Sequence, residues 1–157
     1  MTSKPFSVLS CAAALTVAAA LVFAPSASAA LGGTADSVTT DSVALKGQLH
    51  NTPQVQYDLQ TITVGTLIIH EYVTRAGQVF AVTWQGPVPP NLRQLLGGYF
   101  TQFQSAAANR ARPGNRRQLT VSQPDLVIEA SGRLRDFSGL AYVPSLFPAG
   151  VSVSDLQ

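Results

Sequence analysis

The sequence predicts an α+β domain: an antiparallel β-sheet built from hairpins, with one face covered by a central amphipathic helix. Three observations support this prediction. Residues 55–74 are rich in Val, Ile, Thr and Tyr and alternate in polarity along much of their length, which is typical of strands. The segments "RAG" and "ASG" have the composition of hairpin loops. A stripe of leucine and aromatic residues begins at Leu92 and repeats at helical spacing.

The N-terminus has the three parts of a secretory signal peptide. Lys4 supplies a positive charge, an apolar run extends from Val8 to Phe23, and the small residues "APSASAA" follow it. This run is shorter than the roughly 20 residues that cross a bilayer. We therefore expect cleavage after Ala29, a periplasmic or secreted protein, and no transmembrane segment in the mature chain.

The cysteine at position 11 offers an alternative, because a lipoprotein signal also places a cysteine after small and aliphatic residues. Here the apolar run lies after Cys11 instead of before it, which favours the cleaved signal peptide. Cleavage removes the chain's single cysteine, so the mature protein would have no disulfide, zinc-thiolate site or cysteine nucleophile. Residues 30–157 then form a single globular domain.

Composition is that of a globular protein with balanced charge. Hydrophobic residues make up 46% of the chain and charged residues 11%, with a formal net charge of +2. A protein whose main partner is nucleic acid needs a much stronger basic bias. We expect no nucleic acid partner.

The first elements of the mature chain are a short helix and a strand-forming segment. Val38, Ser42 and Leu45 recur at helical spacing, which predicts a helix capped by Asp36 or Ser37 that ends near Gly47. Strand residues follow from Val55 onwards, and we expect a bulge or bend at Gly65.

The first hairpin is predicted at Arg75–Gly77, with a type I turn followed by a left-handed glycine. That loop fixes a register in which Thr74 faces Gln78 and Tyr72 faces Phe80. One face of the ribbon would then carry a mainly apolar set: Ile68, His70, Tyr72, Phe80, Val82 and Trp84. We expect another element to cover this aromatic face.

The covering element is a helix predicted from Leu92 to Ala108. The prolines of "GPVPP" end the preceding strand, and Asn91 is placed as an N-cap with Gln94 completing a capping box. The apolar stripe consists of Leu92, Leu95, Leu96, Tyr99, Phe100 and Phe103. We expect this stripe to pack on the face with Phe80 and Trp84, which makes Trp84 a core residue. The alternative is an exposed indole on which sugar rings or other ligands stack.

The C-terminal part predicts further strands. "QLTVS" and "DLVIE" read as strands separated at Pro124, and Ala130–Gly132 predicts a second hairpin loop in which Glu129 faces Arg133. A strand bent at Gly139 follows. Leu146, Phe147 and Val151 of the irregular tail are expected to pack back on the body.

Three segments carry a family resemblance: "HEYVTRAGQVFAVTWQGPVPPNLRQLLGGYF", "ALGG" and "AYVPSLFPAGVS". Together they resemble small exported proteins of Gram-negative bacteria that share the domain of unknown function 2844. The resemblance covers most of residues 30–157. It implies an exported single-domain protein, and it identifies no catalytic residue.

Catalytic and metal-binding motifs are weak in this sequence. The serine motif G-x-S-x-G is absent, and His70-Glu71 begins like H-E-x-x-H but has Thr74 in place of the second histidine. Adjacent strand residues point to opposite faces, so His70 and Glu71 could not both bind one metal. His50 is expected to be a solvated loop residue. We therefore predict no catalytic residue, metal ligand or cofactor.

A cluster of arginines is the main candidate binding feature. It surrounds Pro113 and Gly114 and consists of Arg110, Arg112, Arg116 and Arg117. Guanidinium groups bind phosphate and carboxylate in bidentate fashion, so anionic lipid or polysaccharide is the expected partner, and a solvated loop is the alternative.

We interpret the protein as an exported non-enzymatic binding or accessory protein of unknown ligand. The alternative is a small exported enzyme, a hydrolase, with unidentified catalytic residues. An enclosed pocket with polar groups around His70 and Glu71, or around Trp84, would favour the enzyme.

Overall fold

The computed structural model describes residues 31–108 and 118–156, which form a seven-stranded antiparallel sheet with helices. The predicted α+β class is therefore confirmed. The strands are β1 (Gln48–Pro53), β2 (Tyr57–Val64), β3 (Leu67–Thr74), β4 (Val79–Gly86), β5 (Gln118–Gln123), β6 (Leu126–Arg133) and β7 (Asp136–Tyr142). Their order in the sheet is β1-β2-β3-β4-β7-β6-β5. The predicted signal peptide, residues 1–29, lies outside the described residues.

The helical elements are α1 (Ala35–Ala44), α2 (Leu92–Leu96) and α3 (Phe100–Ala108), with a 3-10 turn at Gly97–Tyr99 between the last two. Helix α1 confirms the predicted short helix, but Thr34 is its N-cap residue, so Asp36 and Ser37 lie in its first turn. Gly65 lies in the tight turn between β2 and β3 with a φ of 61°, so it separates two strands instead of bending one.

The first hairpin loop is confirmed. Gly77 has a φ of 80°, and the Thr74 amide donates to the Gln78 carbonyl at 2.8 Å. Beyond this loop the predicted register is wrong, because Phe80 is an extra residue in β4. Tyr72 is paired with Ala81 while Val73 is paired with Val79, which is a β-bulge.

The bulge shifts the rest of the hairpin by one residue. Trp84 is paired with Ile69 and not with Ile68, so Trp84 and Val82 lie on the opposite face from Tyr72 and Phe80. The predicted aromatic face is thus divided between two sides of the sheet. Ala81 and Thr83, which the predicted register places on the face opposite Tyr72, lie on the same face as Tyr72.

The helices cover the face that carries Trp84. Leu95, Leu96 and Phe103 are buried in one apolar cluster with Trp84, which is 4% exposed. The prediction that Trp84 is a core residue is therefore confirmed, whereas Phe80 lies in the cluster on the other side. The reason is the one-residue shift that the bulge introduces.

The predicted central helix is present but interrupted. Asn91 caps it as expected, since its side chain accepts from the Gln94 amide at 3.4 Å. The side chain of Gln94 does not complete a capping box; it donates instead to Asp41 of α1 at 2.6 Å. Gly97, with a φ of 48°, starts the 3-10 turn that divides the helix into α2 and α3.

The second predicted hairpin loop is wrong. Strand β6 continues through Ala130–Gly132 to Arg133, and the turn consists of Leu134 and Arg135. Glu129 consequently faces Leu140 and not Arg133. Gly132 does not take the left-handed conformation, which Arg135 adopts with a φ of 62°. A side chain at Gly132 would meet the ring of Phe137 at 3.1 Å, so close packing explains this glycine.

The C-terminal tail covers one end of the second face, as predicted. Its cluster contains Tyr72, Phe80, Ala81 and Leu156, with Tyr57, Leu59, Leu140, Tyr142, Leu146, Phe147 and Val151 packed against them. The phenylalanine ring of Phe147 meets those of Phe80 and Tyr142 edge-on, at centroid distances of 5.1 and 5.3 Å. The rest of this face is not covered by the tail.

Two carboxyl groups are buried where α1 and α2 meet the sheet. Glu71 of β3 is 0% exposed, and neither of its carboxylate oxygens has a hydrogen-bond partner in the part of the chain that the structure describes. Burial, with the nearby charge of Asp41 as a smaller cause, raises the pKa of Glu71 to about 8. Burial also raises the pKa of Asp41 to about 6, although the hydrogen bond from Gln94 opposes the shift. Protonated, uncharged carboxyls are the forms that this interior favours.

Replacing Gly139 should test the packing of the indole. A Cβ at Gly139 would lie 2.2 Å from Cζ2 of Trp84, so we expect Gly139→Ala to lower the free energy of unfolding by about 1–3 kcal/mol. Gly98→Ala is the control, because a Cβ there meets nothing within 4 Å. Urea denaturation measures both variants. Equal stability of the two would contradict the packing.

Stability should fall as the pH rises. Both folded-state pKa values lie above the ordinary values of 3.8 and 4.5, so the native protein binds more protons than the unfolded chain until the pH passes about 8. We expect a loss of roughly 2 to 5 kcal/mol between about pH 5 and about pH 9. Glu71→Gln should remove most of this slope in urea titrations, while Glu129→Gln, at an exposed glutamate, should retain it. A wild-type slope of zero would show that Glu71 is not a buried acid.

Candidate functional site

The open face of the sheet carries two rows of mainly polar side chains that run across the strands. Residues paired in register point to the same face, so the pairing itself defines each row. The inner row, next to the C-terminal tail, consists of Thr120, Glu129, Leu140, Thr83, His70, Thr61 and His50. The outer row consists of Gln118, Ser131, Ser138, Gln85, Ile68, Thr63 and Gln48.

A cavity of about 560 Å³ lies over part of both rows. Its lining residues come from β3, β4, β7, β6 and β5, and Leu156 of the tail adds an apolar group at one side. Binding pockets for small molecules have volumes of roughly 300–1,000 Å³. The cavity therefore has the size of a ligand site, and it is open to solvent.

Most polar groups that line the cavity are uncharged. Amides come from Gln85 and Gln118, and hydroxyls come from Thr83, Thr120, Ser131 and Ser138. Among the lining residues that the structure describes, Glu129 is the one carboxylate, and none is a lysine or arginine. Amides and hydroxyls both donate and accept hydrogen bonds. The arrangement suits an uncharged polar ligand better than an anion.

His70 is held in its row by a neighbouring strand. Its Nδ1 lies 2.9 Å from the hydroxyl of Thr61 in β2. Burial lowers the pKa of His70, so the uncharged imidazole is favoured near neutral pH. The side chain thus contributes hydrogen bonding without a positive charge.

Thr83 is a buried polar group on the cavity side of the sheet. It lies beside His70 in the inner row, and its hydroxyl has no hydrogen-bond partner among the described residues. Unsatisfied buried polar groups are costly, so they are rare in folded proteins.

The structure separates several residues that the sequence placed together. His70 lines the cavity, but Glu71 lies under the helices on the other face, as the alternation of strand residues predicted. His50 is exposed, as expected, but it lies in β1 and not in a loop. Arg110, Arg112, Arg116 and Arg117 lie outside the residues that the structure describes, so their arrangement stays a prediction.

Sequence reasoning missed most of the cavity. The sequence predicts Ser131 in a turn and indicates no role for Ser138, whereas the pairing of β6 with β7 brings the two serines together. One available signal was the alternation of polar residues at Thr61 and Thr63 and at Gln118 and Thr120. That alternation indicates a polar face for each strand but does not say which strands are neighbours.

Metal sites and membrane-spanning helices are both absent from the described residues. Among residues 31–108 and 118–156, no group of three or more His, Cys, Asp or Glu side chains is placed to hold a metal ion. No helix within the same ranges has the length and apolarity needed to cross a bilayer.

Comparison with known proteins gives a family assignment. No curated protein and no solved structure matches the chain. One family model does match it, over residues 27–156, and its description is "Protein of unknown function (DUF2844)". Because this match spans most of the chain and agrees with the resemblance in the sequence, the chain belongs to the DUF2844 family.

Proposed function

We propose that this chain is an exported binding protein that holds a small, uncharged polar ligand in the cavity of its open face. The observation that carries the proposal is the cavity of about 560 Å³, with uncharged hydrogen-bonding side chains from several strands around it. Groups on a hydrogen-bonded sheet are held at fixed spacing, which is what a preformed site requires. Export rests on the signal-peptide pattern that ends at Ala29.

The charge of the cavity defines which ligands it accepts. An anion would meet Glu129, and no lysine or arginine among the described lining residues would balance the two negative charges. An uncharged polyol or sugar meets amides, hydroxyls and a neutral imidazole, all of which can pair with its hydroxyl groups. Neutral polar ligands are therefore favoured over anionic ones.

The enzyme alternative rests on weaker support. Polar groups do converge around His70, and Trp84 also lines the cavity, which meets part of the criterion. The cavity is open instead of enclosed, however, and Glu71 is on the other face. Glu129 and His70 are separated by β7 and β4 in the sheet, which places their backbones roughly 14 Å apart along it. His70 has the hydroxyl of Thr61 on Nδ1, where a catalytic histidine needs a carboxylate or carbonyl to orient it.

The arginine cluster provides a second binding proposal, of a different chemistry. Arg110, Arg112, Arg116 and Arg117 are close together in the sequence and directly precede Gln118, which lines the cavity. Four guanidinium groups in eight residues favour an anionic surface as the partner. We propose that this segment contacts anionic lipid or polysaccharide of the cell envelope while the cavity holds a neutral ligand.

Filling the cavity should abolish ligand binding. Ser131→Tyr places a ring in the cavity, whereas Ser145→Tyr adds the same ring at an exposed position away from the lining residues. We expect a panel of neutral sugars and polyols to shift backbone NMR signals of β4, β6 and β7 in the wild type and in the Ser145 variant only. Shifts confined to other surfaces, or equal binding by both variants, would contradict the site.

Neutralising the arginine cluster should weaken binding to anionic membranes. We expect cosedimentation with phosphatidylglycerol vesicles to fall as salt rises, and to be lost when all four arginines are changed to glutamine. Vesicles of phosphatidylcholine alone are the control. Binding that is insensitive to the four substitutions would rule out this role for the segment.

A further inference from the structure

The cavity is longer than a compact ligand requires. Its lining runs without a gap across β3, β4, β7, β6 and β5. Neighbouring strands lie about 4.8 Å apart, so four spacings give a length of roughly 19 Å along the sheet. A single sugar ring or small polyol covers only part of that length.

The same kind of hydrogen-bonding group recurs along this length. In the outer row, Gln118, Ser131, Ser138 and Gln85 occupy four consecutive strands. Each supplies an amide or hydroxyl, and each lies one strand spacing from the next. A repeating ladder of uncharged donors and acceptors matches a ligand whose own hydroxyl groups repeat along a chain.

Apolar side chains interrupt the two rows at separate points. Leu140 lies in the inner row between Glu129 and Thr83, and Ile68 ends the cavity part of the outer row. Ile68 is 40% exposed, so its side chain forms an open apolar patch and does not line a closed pocket. Such patches suit the C–H faces of sugar rings, whereas a peptide in an extended form would require pockets for its alternate side chains.

The charge of the described lining disfavours the other common linear polymers. Nucleic acids and acidic polysaccharides carry negative charge on every unit and need several cations along their path. Within residues 31–108 and 118–156, the cavity lining has Glu129 and neither lysine nor arginine. This part of the lining favours an uncharged polymer.

We propose that the cavity binds a linear, uncharged oligosaccharide that lies across the strands, along the inner and outer rows. This inference rests on the proposed function and adds the length and chemical class of the ligand. The affinity then comes from several sugar units, each paired with the side chains of one or two strands.

Isothermal titration with oligosaccharides of increasing length tests this proposal. The probes are the cello-, malto-, xylo- and chito-oligosaccharides from one to six units. In at least one series, we expect the dissociation constant to fall by about ten-fold or more from the monosaccharide to the oligomer that fills the groove, and then to level off. Equal affinity at all lengths would overturn the proposal.

Two exposed residues allow the path of the ligand to be mapped. Gln85→Leu, in the central strand of the sheet, should weaken every oligomer that binds, whereas Thr120→Val, in edge strand β5, should reduce only the gain from added units. Gln104→Leu and Thr101→Val make the same changes on exposed positions of α3. Unchanged binding in both groove variants would also overturn the proposal, once thermal melting has shown that all four fold.

The possible failures can be told apart. Monosaccharides and oligomers could bind with equal affinity, and Ser131→Tyr could still abolish that binding. This result would contradict the extended ligand but support the small-ligand site. If a neutral glycine-serine peptide binds more strongly than any saccharide, the ligand is not a saccharide, and the proposed chemical class is wrong. If no neutral compound changes the NMR spectrum of the wild type, the proposed function and this inference fail together.

Discussion

One extra residue in β4 determines which side chains meet the helices and which remain on the open face. Phe80 and Ala81 both lie opposite Tyr72. Every pair of β3 and β4 residues that follows Ala81 along β4 is therefore shifted by one position. Without the bulge, Val82 and Trp84 would point to the side of Phe80 and the helices would face Ala81 and Thr83. The bulge therefore gives the helices an apolar surface and leaves Thr83 and Gln85 for the cavity.

The indole of Trp84 is the largest consequence of this shift. It packs where Gly139 provides no side chain, and it shares a cluster with Leu95 and Leu96 of α2. Segment 31–34 adds to the same region, since the Gly32 amide donates to the Val79 carbonyl and the Val79 amide donates to the Gly33 carbonyl. The start of β4 is thus fixed from two sides, which holds the bulge in place.

The two faces of the sheet differ in whether their polar side chains are buried or accessible to solvent. Under the helices, Asp41 and Glu71 are buried, and the uncharged form of each carboxyl is favoured because few partners are available. On the open face, amides and hydroxyls remain accessible because the tail covers only the end near Tyr72 and Phe80. The cavity exists because this cover is incomplete, and its walls are strands whose spacing is set by backbone hydrogen bonds.

The sequence by itself determined the class of fold, the loop at Gly77, the cap at Asn91 and the packing of the tail. Each of these depends on local composition or on a short spacing, which a single segment contains. Only the tertiary structure decided the bulge at Phe80, the turn at Arg135 and the rows that include Ser131, Ser138 and Gln85. The physical reason is that strand residues alternate with a period of two, so the face they occupy depends on a register fixed by distant partners.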